Sequence, residues 1–138
     1  MSSYKYIQEI RVRYSETDQM GYVYYGVYAS YFEVTRVEAM RNLGVSYKEL
    51  ELSGIMMPVS EYSIKYKRPC KYDELLRIEV VIKEMPAARI RFYYSTFNEQ
   101  NELANEAYTE LFFMDAHKQR PVRAPEMLTN ALDNYFHE

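Results

Sequence analysis

The 138-residue chain is 48% apolar and 27% charged, and its 17 Lys and Arg against 20 Asp and Glu leave a net charge of −3. That size fits one domain with one core, and that balance excludes a disordered chain and a general nucleic-acid binder, which carries a basic footprint. The single cysteine, Cys70, excludes an internal disulfide framework and a cysteine-based zinc site.

In chain order, Ile10, Val12 and Tyr14 alternate with charged residues, so residues 4–14 are predicted to form a strand. A polar loop follows from Ser15 to about Tyr25. Residues 27–43 then switch period. Tyr28, Phe32, Ala39 and Leu43 share one helical face, Ala29 and Met40 widen it, and Gly44 stands at the stop position. Ser46 with Glu49 reads as a capping box opening a short helix to Leu52. Strand periodicity returns over 57–68, 75–84, 89–98 and 103–115, with turn signals at Met85–Ala88 and Asn98–Glu102. Residues 125–136 close the chain as a helix with Pro125 near its first turn.

Helices and strands do not alternate, so the class is α+β, a single domain over 1–138 with its core at about 4–116. Five antiparallel strands need one face covered, and 27–43 is the one large apolar helix available. A sheet wrapped around that helix is the economical solution. Aromatic strands such as Phe92-Tyr93-Tyr94 offer apolar groups to both faces, and 16 tyrosines without a tryptophan suit partly wet interfaces, so a homo-oligomer is expected. No apolar run approaches the ~20 residues of a membrane span, and Met1–Tyr6 lacks the apolar stretch of a signal peptide, which predicts a cytoplasmic protein without membrane insertion.

The loop before the long helix carries the chemistry. It places Glu16, Asp18, Gly21 and Gly26 just ahead of a helix N-terminus, where free amides favour an anion or a developing oxyanion. An acid beside such donors is a minimal hydrolytic constellation, although Asp and Gly in a loop also serve as plain turn formers. Arg13-Tyr14-x-x-Thr17-Asp18-x-x-Gly21-x-Val23-Tyr24-x-x-x-Tyr28-x-x-Tyr31-x-Glu33-x-x-Arg36 resembles the signature of the hotdog-fold acyl-CoA thioesterases. More narrowly, it resembles their 4-hydroxybenzoyl-CoA thioesterase-like branch, which includes the acyl-CoA thioesterases linked to the Tol-Pal envelope system. Gly54-Ile55-x-x-Pro58-Val59, Tyr66-x-Arg68-Pro69 and Tyr72-Asp73-Glu74 continue the resemblance in order and spacing.

The resemblance implies five strands curled around one helix, a dimer or dimer of dimers, and hydrolysis of acyl-CoA to free acid and CoA without a cofactor or metal. It implies Asp18 as nucleophile or general base, backbone N–H groups near Gly26 as oxyanion hole, and Tyr14 as an orienting group. Tyr25 stands where the family often has histidine, and Val27 where a small polar residue is common. A phenol there is a neutral donor near neutral pH rather than an imidazole base. Thioester hydrolysis on acyl carrier protein and acyl-CoA binding without turnover are the alternatives. A dehydratase pairs a catalytic histidine with its acid, and neither His117 nor His137 lies near the loop.

Coenzyme A phosphates need cations; Lys65, Lys67 and Arg68, and Arg89 with Arg91, are the candidates, and solvated strand charges are the plain reading of each. Glu33 and Arg36 are read as a buried ion pair anchoring helix to sheet, Glu16 as a solvated loop acid, Cys70 and the methionines as core filler.

Overall fold

The computed structural model describes residues 3–136; His137 lies outside them. Its strands are β1 (Tyr4–Arg11), β2 (Ile55–Met56), β3 (Val59–Tyr66), β4 (Leu75–Ile82), β5 (Arg89–Phe97), β6 (Leu103–Asp115) and β7 (Arg120–Val122). Its helices are α1 (Val27–Asn42), α2 (Tyr47–Leu52) and α3 (Glu126–Asp133). All pairings are antiparallel. The main sheet runs β1-β4-β5-β6-β3, and the short β2 and β7 both pair with the last residues of β6. This is the α+β, hotdog arrangement expected, with α1 as the central helix.

Strict alternation builds the sheet. Ile78, Val80 and Ile82 of β4 and Ile90, Phe92 and Tyr94 of β5 turn inward and are buried, while their neighbours face out. α1 lies on that inner face through Tyr28, Tyr31, Phe32, Thr35, Ala39 and Met40. Phe32 stacks on Tyr94 with ring centroids 4.5 Å apart. At the other end of α1, the Tyr4 hydroxyl bonds the Ala39 carbonyl at 3.0 Å and Asn42 at 2.6 Å, tying β1 to the helix. Leu128 and Leu132 of α3 are fully buried, and Tyr135 just beyond it meets the Tyr4 ring edge-on. Ser46 and Glu49 form the expected capping box at α2.

Several boundaries differ from the expectation. β1 ends at Arg11: the Val12 amide still meets the Glu74 carbonyl in register, but the Glu74 amide turns back to the Lys71 carbonyl and Asp73 has φ of +70°, so the ladder stops; Tyr14–Glu16 is a single 3-10 turn. β3 is shorter at both ends. Pro58 cannot donate to a ladder, and at the other end the Lys67 amide meets the Ala104 carbonyl in register but the Arg68 amide bends back to the same carbonyl and breaks it. Pro125 stands at the first turn of α3 as its extended N-cap, and the helix ends at Asp133, short of the expected 136. Ala29 is exposed, outside the apolar face.

The predicted Glu33–Arg36 pair is not observed. Arg36 is 8% exposed, but its guanidinium faces the Tyr94 hydroxyl at 3.5 Å, while Glu33 is exposed. β5 supplies the helix with a closer polar partner than the helix supplies itself. No helix among the described residues is long and apolar enough to cross a membrane.

Candidate active site

The Asp18 loop is a small hairpin of its own. Thr17 and Val23 form an isolated bridge, the Asp18 amide bonds the Tyr22 carbonyl at 2.8 Å, and the Gly21 amide bonds the Asp18 carbonyl at 3.0 Å. The Val23 amide reaches the Cys70 carbonyl at 2.8 Å, which docks the loop on the segment leaving β3. Gly21 has φ of +79°, so this tight turn needs glycine. Gly26, by contrast, has ordinary helical dihedrals; a side chain there would meet the Tyr24 ring at 3.0 Å. Around Gly21 nothing lies within 4 Å of an added Cβ. Gly21→Ala is therefore expected to cost about 1 kcal/mol from backbone strain alone. Chemical denaturation of the variant and the native chain reads the loss.

Asp18 is half-buried. Its Oδ1 accepts from the Met20 amide at 2.9 Å and the Tyr22 amide at 3.2 Å. Oδ2 takes no hydrogen bond among the described residues, leaving one carboxylate oxygen for chemistry. The side chain lines a cleft of about 420 Å³ whose walls are Tyr22, Tyr25, Tyr28 and Tyr66, with Met20 and Val23. Lys67, Arg68 and Pro69 form its rim. The start of α1 borders the same cleft through Tyr28, its second residue. The Val27 amide is occupied by the Tyr24 carbonyl at 2.9 Å, while the following first-turn amides are the unpaired donors of a helix start.

The structure thus brings Asp18, Tyr25, Lys67 and Arg68 to one cleft, with Gly26 at the N-cap beside it. Tyr25 is 66% exposed and packs on Tyr24, and its carbonyl accepts from the Tyr66 hydroxyl at 3.4 Å. Lys67 and Arg68 have only long contacts to Glu106 and Glu102, at 4.0 and 3.9 Å, in the range where exposed pairs hold their partners weakly. Tyr14 does not line this cleft. It is 79% exposed, meets Tyr72 edge-on, and shares a second hollow with Thr17, Asp18 and Gly21. Lys65 alternates with Tyr66 and does not line the cleft. Arg89 and Arg91 do not either; both pair with Glu110, at 2.9 and 3.4 Å.

Glu16 was expected to be solvated; its side chain is 15% exposed. It accepts from the Arg13 amide at 2.9 Å, the Arg13 guanidinium at 3.1 Å and the Tyr31 hydroxyl at 2.7 Å. Partial burial works to raise its pKa, but these bonds together outweigh it and hold the carboxyl below its ordinary value of 4.5. Such a group adds stability at neutral pH and loses it as pH falls from 4.5 through the lower folded value. Glu16→Gln should therefore lose less stability than the native chain between pH 5 and pH 3, as measured by urea midpoints at the two values.

Beneath the cleft, burial first, and then the neighbouring Cys70, push the Tyr28 phenol well above the usual range, so it stays a neutral donor. Among the described residues no group of three or more His, Cys, Asp or Glu side chains is placed to hold a metal ion.

Known proteins resemble this chain along most of its length. The profile of the thioesterase-like superfamily matches residues 12–132. YneP of Bacillus subtilis, provisionally named an acyl-CoA thioesterase, is 33% identical over 116 residues, 84% of either chain. The acyl-CoA thioester hydrolase YbgC of Escherichia coli is 29% identical over 119 residues, 86% of this chain and 89% of that one. The crystal structure of a DHNA-CoA thioesterase from Staphylococcus aureus superposes with a TM-score of 0.83 at 36% identity, covering 96% of this chain and 83% of that one.

Proposed function

The chain belongs to the thioesterase-like superfamily, and from that premise we propose that it hydrolyses acyl-CoA thioesters to the free acid and CoA, with Asp18 as the reacting acid. The observation that carries the reading is the free Oδ2 of Asp18 in an aromatic cleft that opens beside the start of α1.

In this reading the thioester carbonyl points at the unpaired first-turn amides of α1. They stabilise the negative charge that develops on oxygen when the carbon becomes tetrahedral. Asp18 either attacks that carbon directly or takes a proton from a water that does. Collapse of the intermediate breaks the C–S bond and releases the CoA thiolate. On the water route the free acid forms at once and the proton held by Asp18 passes to the thiolate. On the direct route collapse leaves an acyl–Asp18 anhydride; a water then hydrolyses it, which releases the free acid, restores the carboxylate and supplies the proton for the thiolate. The Tyr25 hydroxyl, at the mouth, is proposed as a neutral donor to substrate or leaving sulfur. Lys67 and Arg68, loosely held at the rim, are proposed to meet the CoA phosphates. Lys65, Arg89 and Arg91 are not part of this proposal, because they do not line the cleft. Four tyrosine rings suit a flat aromatic acyl group through stacking.

A second copy is inferred along β3. One side of this strand bonds β6 and the other has no partner among the described residues, and Val59, Tyr62 and Tyr66 on it are exposed. An unpaired edge of this length is a template for antiparallel addition of the same strand from a twofold-related chain. Sedimentation should give two or four times 16.6 kDa at micromolar concentration; a 16.6 kDa species alone contradicts it.

The activity is tested by thiol release from a panel of aromatic, short-chain and long-chain acyl-CoAs, with the same acyl groups on acyl carrier protein as a second arm. Turnover of the CoA esters, fastest with the aromatic ones, is expected. Preference for the carrier-bound esters would move the substrate class, and tight binding of the CoA esters without product over hours would overturn hydrolysis.

A further inference from the structure

We propose that Glu16 is a positioning residue for the Asp18 site: with Tyr31 it forms a clamp that fixes the Asp18 turn at a set distance from the first turn of α1. The inference rests on the reading above, in which Asp18 and the α1 amides act on the same carbonyl.

The two halves of that site sit on separate pieces of chain. Asp18 belongs to the hairpin closed by the Thr17–Val23 bridge, and the amides belong to α1. Between them run Tyr24, Tyr25 and Gly26, all exposed. The hairpin's own bonds make it rigid and attach it to Cys70, but none of them runs to the helix. Glu16 makes that connection twice. Its carbonyl accepts from the Tyr24 amide at 2.9 Å, and the Tyr24 carbonyl in turn accepts from Val27, the first residue of α1. Its carboxylate accepts from the hydroxyl of Tyr31, one turn further along the helix, at 2.7 Å.

Chemistry makes the second link the stronger one. A phenol O–H bonded to a carboxylate is charge-assisted, and Tyr31 is buried, so water competes poorly for either group. Arg13 holds the carboxylate from the other side through its backbone amide and its guanidinium. The Glu16 side chain therefore has one orientation available, and the Asp18 turn begins two residues later. A shift of about 1 Å between reacting groups costs up to about a hundredfold in rate. Loss of this clamp should therefore appear in kcat before it appears in substrate binding, since Glu16 and Tyr31 do not line the cleft.

The experiment compares Glu16→Ala, Glu16→Gln, Tyr31→Phe and the Glu16→Ala/Tyr31→Phe double variant with the native chain and with Asp18→Asn. Each variant is assayed on the fastest acyl-CoA of the panel, at a temperature where it is folded by circular dichroism. The clamp predicts that kcat falls about 10- to 100-fold in Glu16→Ala and Tyr31→Phe, with KM within about threefold. It predicts that the double variant is no worse than the poorer single one, because both remove the same bond. Glu16→Gln, which keeps an acceptor for Tyr31, should recover most of the rate.

Amide hydrogen exchange supplies a readout that needs no substrate. Met20, Tyr22 and Tyr24 should exchange about tenfold faster in Tyr31→Phe while the amides of β4 and β5 keep their protection. Native kcat in folded variants, or losses that simply multiply in the double variant, overturns the clamp. Should the native chain turn over no thioester, or Asp18→Asn keep full rate, the thioesterase reading is what has failed. Exchange then decides the clamp alone, and unchanged exchange at these three amides refutes it.

Discussion

Asp18→Asn is expected to lower kcat for acyl-CoA hydrolysis by about a thousandfold while leaving the fold intact. Asparagine keeps an oxygen at Oδ1 and can still accept from the Met20 and Tyr22 amides, so the turn that presents residue 18 survives. What disappears is the second carboxylate oxygen, and with it both the negative charge and the basicity that a nucleophile or general base needs. An amide nitrogen can neither attack a thioester nor take a proton from water. Thiol release measures the rate, and a thermal melt within a few degrees of the native one shows that the loss is chemical. Full turnover in the folded variant would remove Asp18 from the mechanism.

Phe32→Ala is expected to cost about 3–5 kcal/mol, the range for emptying a buried aromatic site. Phe32 is fully buried in the middle of α1, stacked between Tyr94 of β5 and Tyr28 one turn away, with Tyr62 of β3 at its edge. It is where the helix grips the centre and the edge of the sheet together. A domain of this size is stable by about 5–15 kcal/mol in total, so the loss is a large share. Val34→Ala, on the exposed side of the same helix, should stay within about 0.5 kcal/mol. Urea denaturation of the two variants makes the comparison, and a loss below about 1 kcal/mol for Phe32→Ala would mean that α1 is not held by this stack. Because Tyr28 also lines the cleft, KM should rise in Phe32→Ala at temperatures where it remains folded.

The parts of the fold that sequence reveals are those written in local period. β4, β5 and β6 from Asn105 onward alternate because one face meets α1 and the other does not, and α1 itself begins at the expected Val27 and ends one residue early. β2 and β7 are two and three residues long and exist because the end of β6 offers unpaired backbone; segments that short carry no period. β1 stops early because its partner strand does: the Glu74 amide turns back to Lys71, in a segment distant in the chain.

The site divides the same way. Asp18, Gly21 and the helix start are neighbours in sequence, so their proximity was legible there. Glu16 looked like a solvated acid because its partner Tyr31 lies fifteen residues on, around a loop and one turn into a helix. Arg36 looked paired with Glu33 because helical spacing joins them, whereas its observed partner, Tyr94, comes from β5 fifty-eight residues away. Among the cations, alternation along a strand separates Lys65 from Tyr66, but only the departure of the chain from β3 after Tyr66 brings Lys67 and Arg68 to the rim.

The most direct measurement is a crystal structure of Asp18→Asn soaked with a slowly hydrolysed aromatic acyl-CoA. The thioester oxygen is expected about 3 Å from a first-turn amide of α1, with the side chain at position 18 against the carbonyl carbon and the acyl ring among Tyr22, Tyr28 and Tyr66. A thioester bound with its carbonyl turned away from the helix start, or lodged in another hollow, would contradict the proposed mechanism.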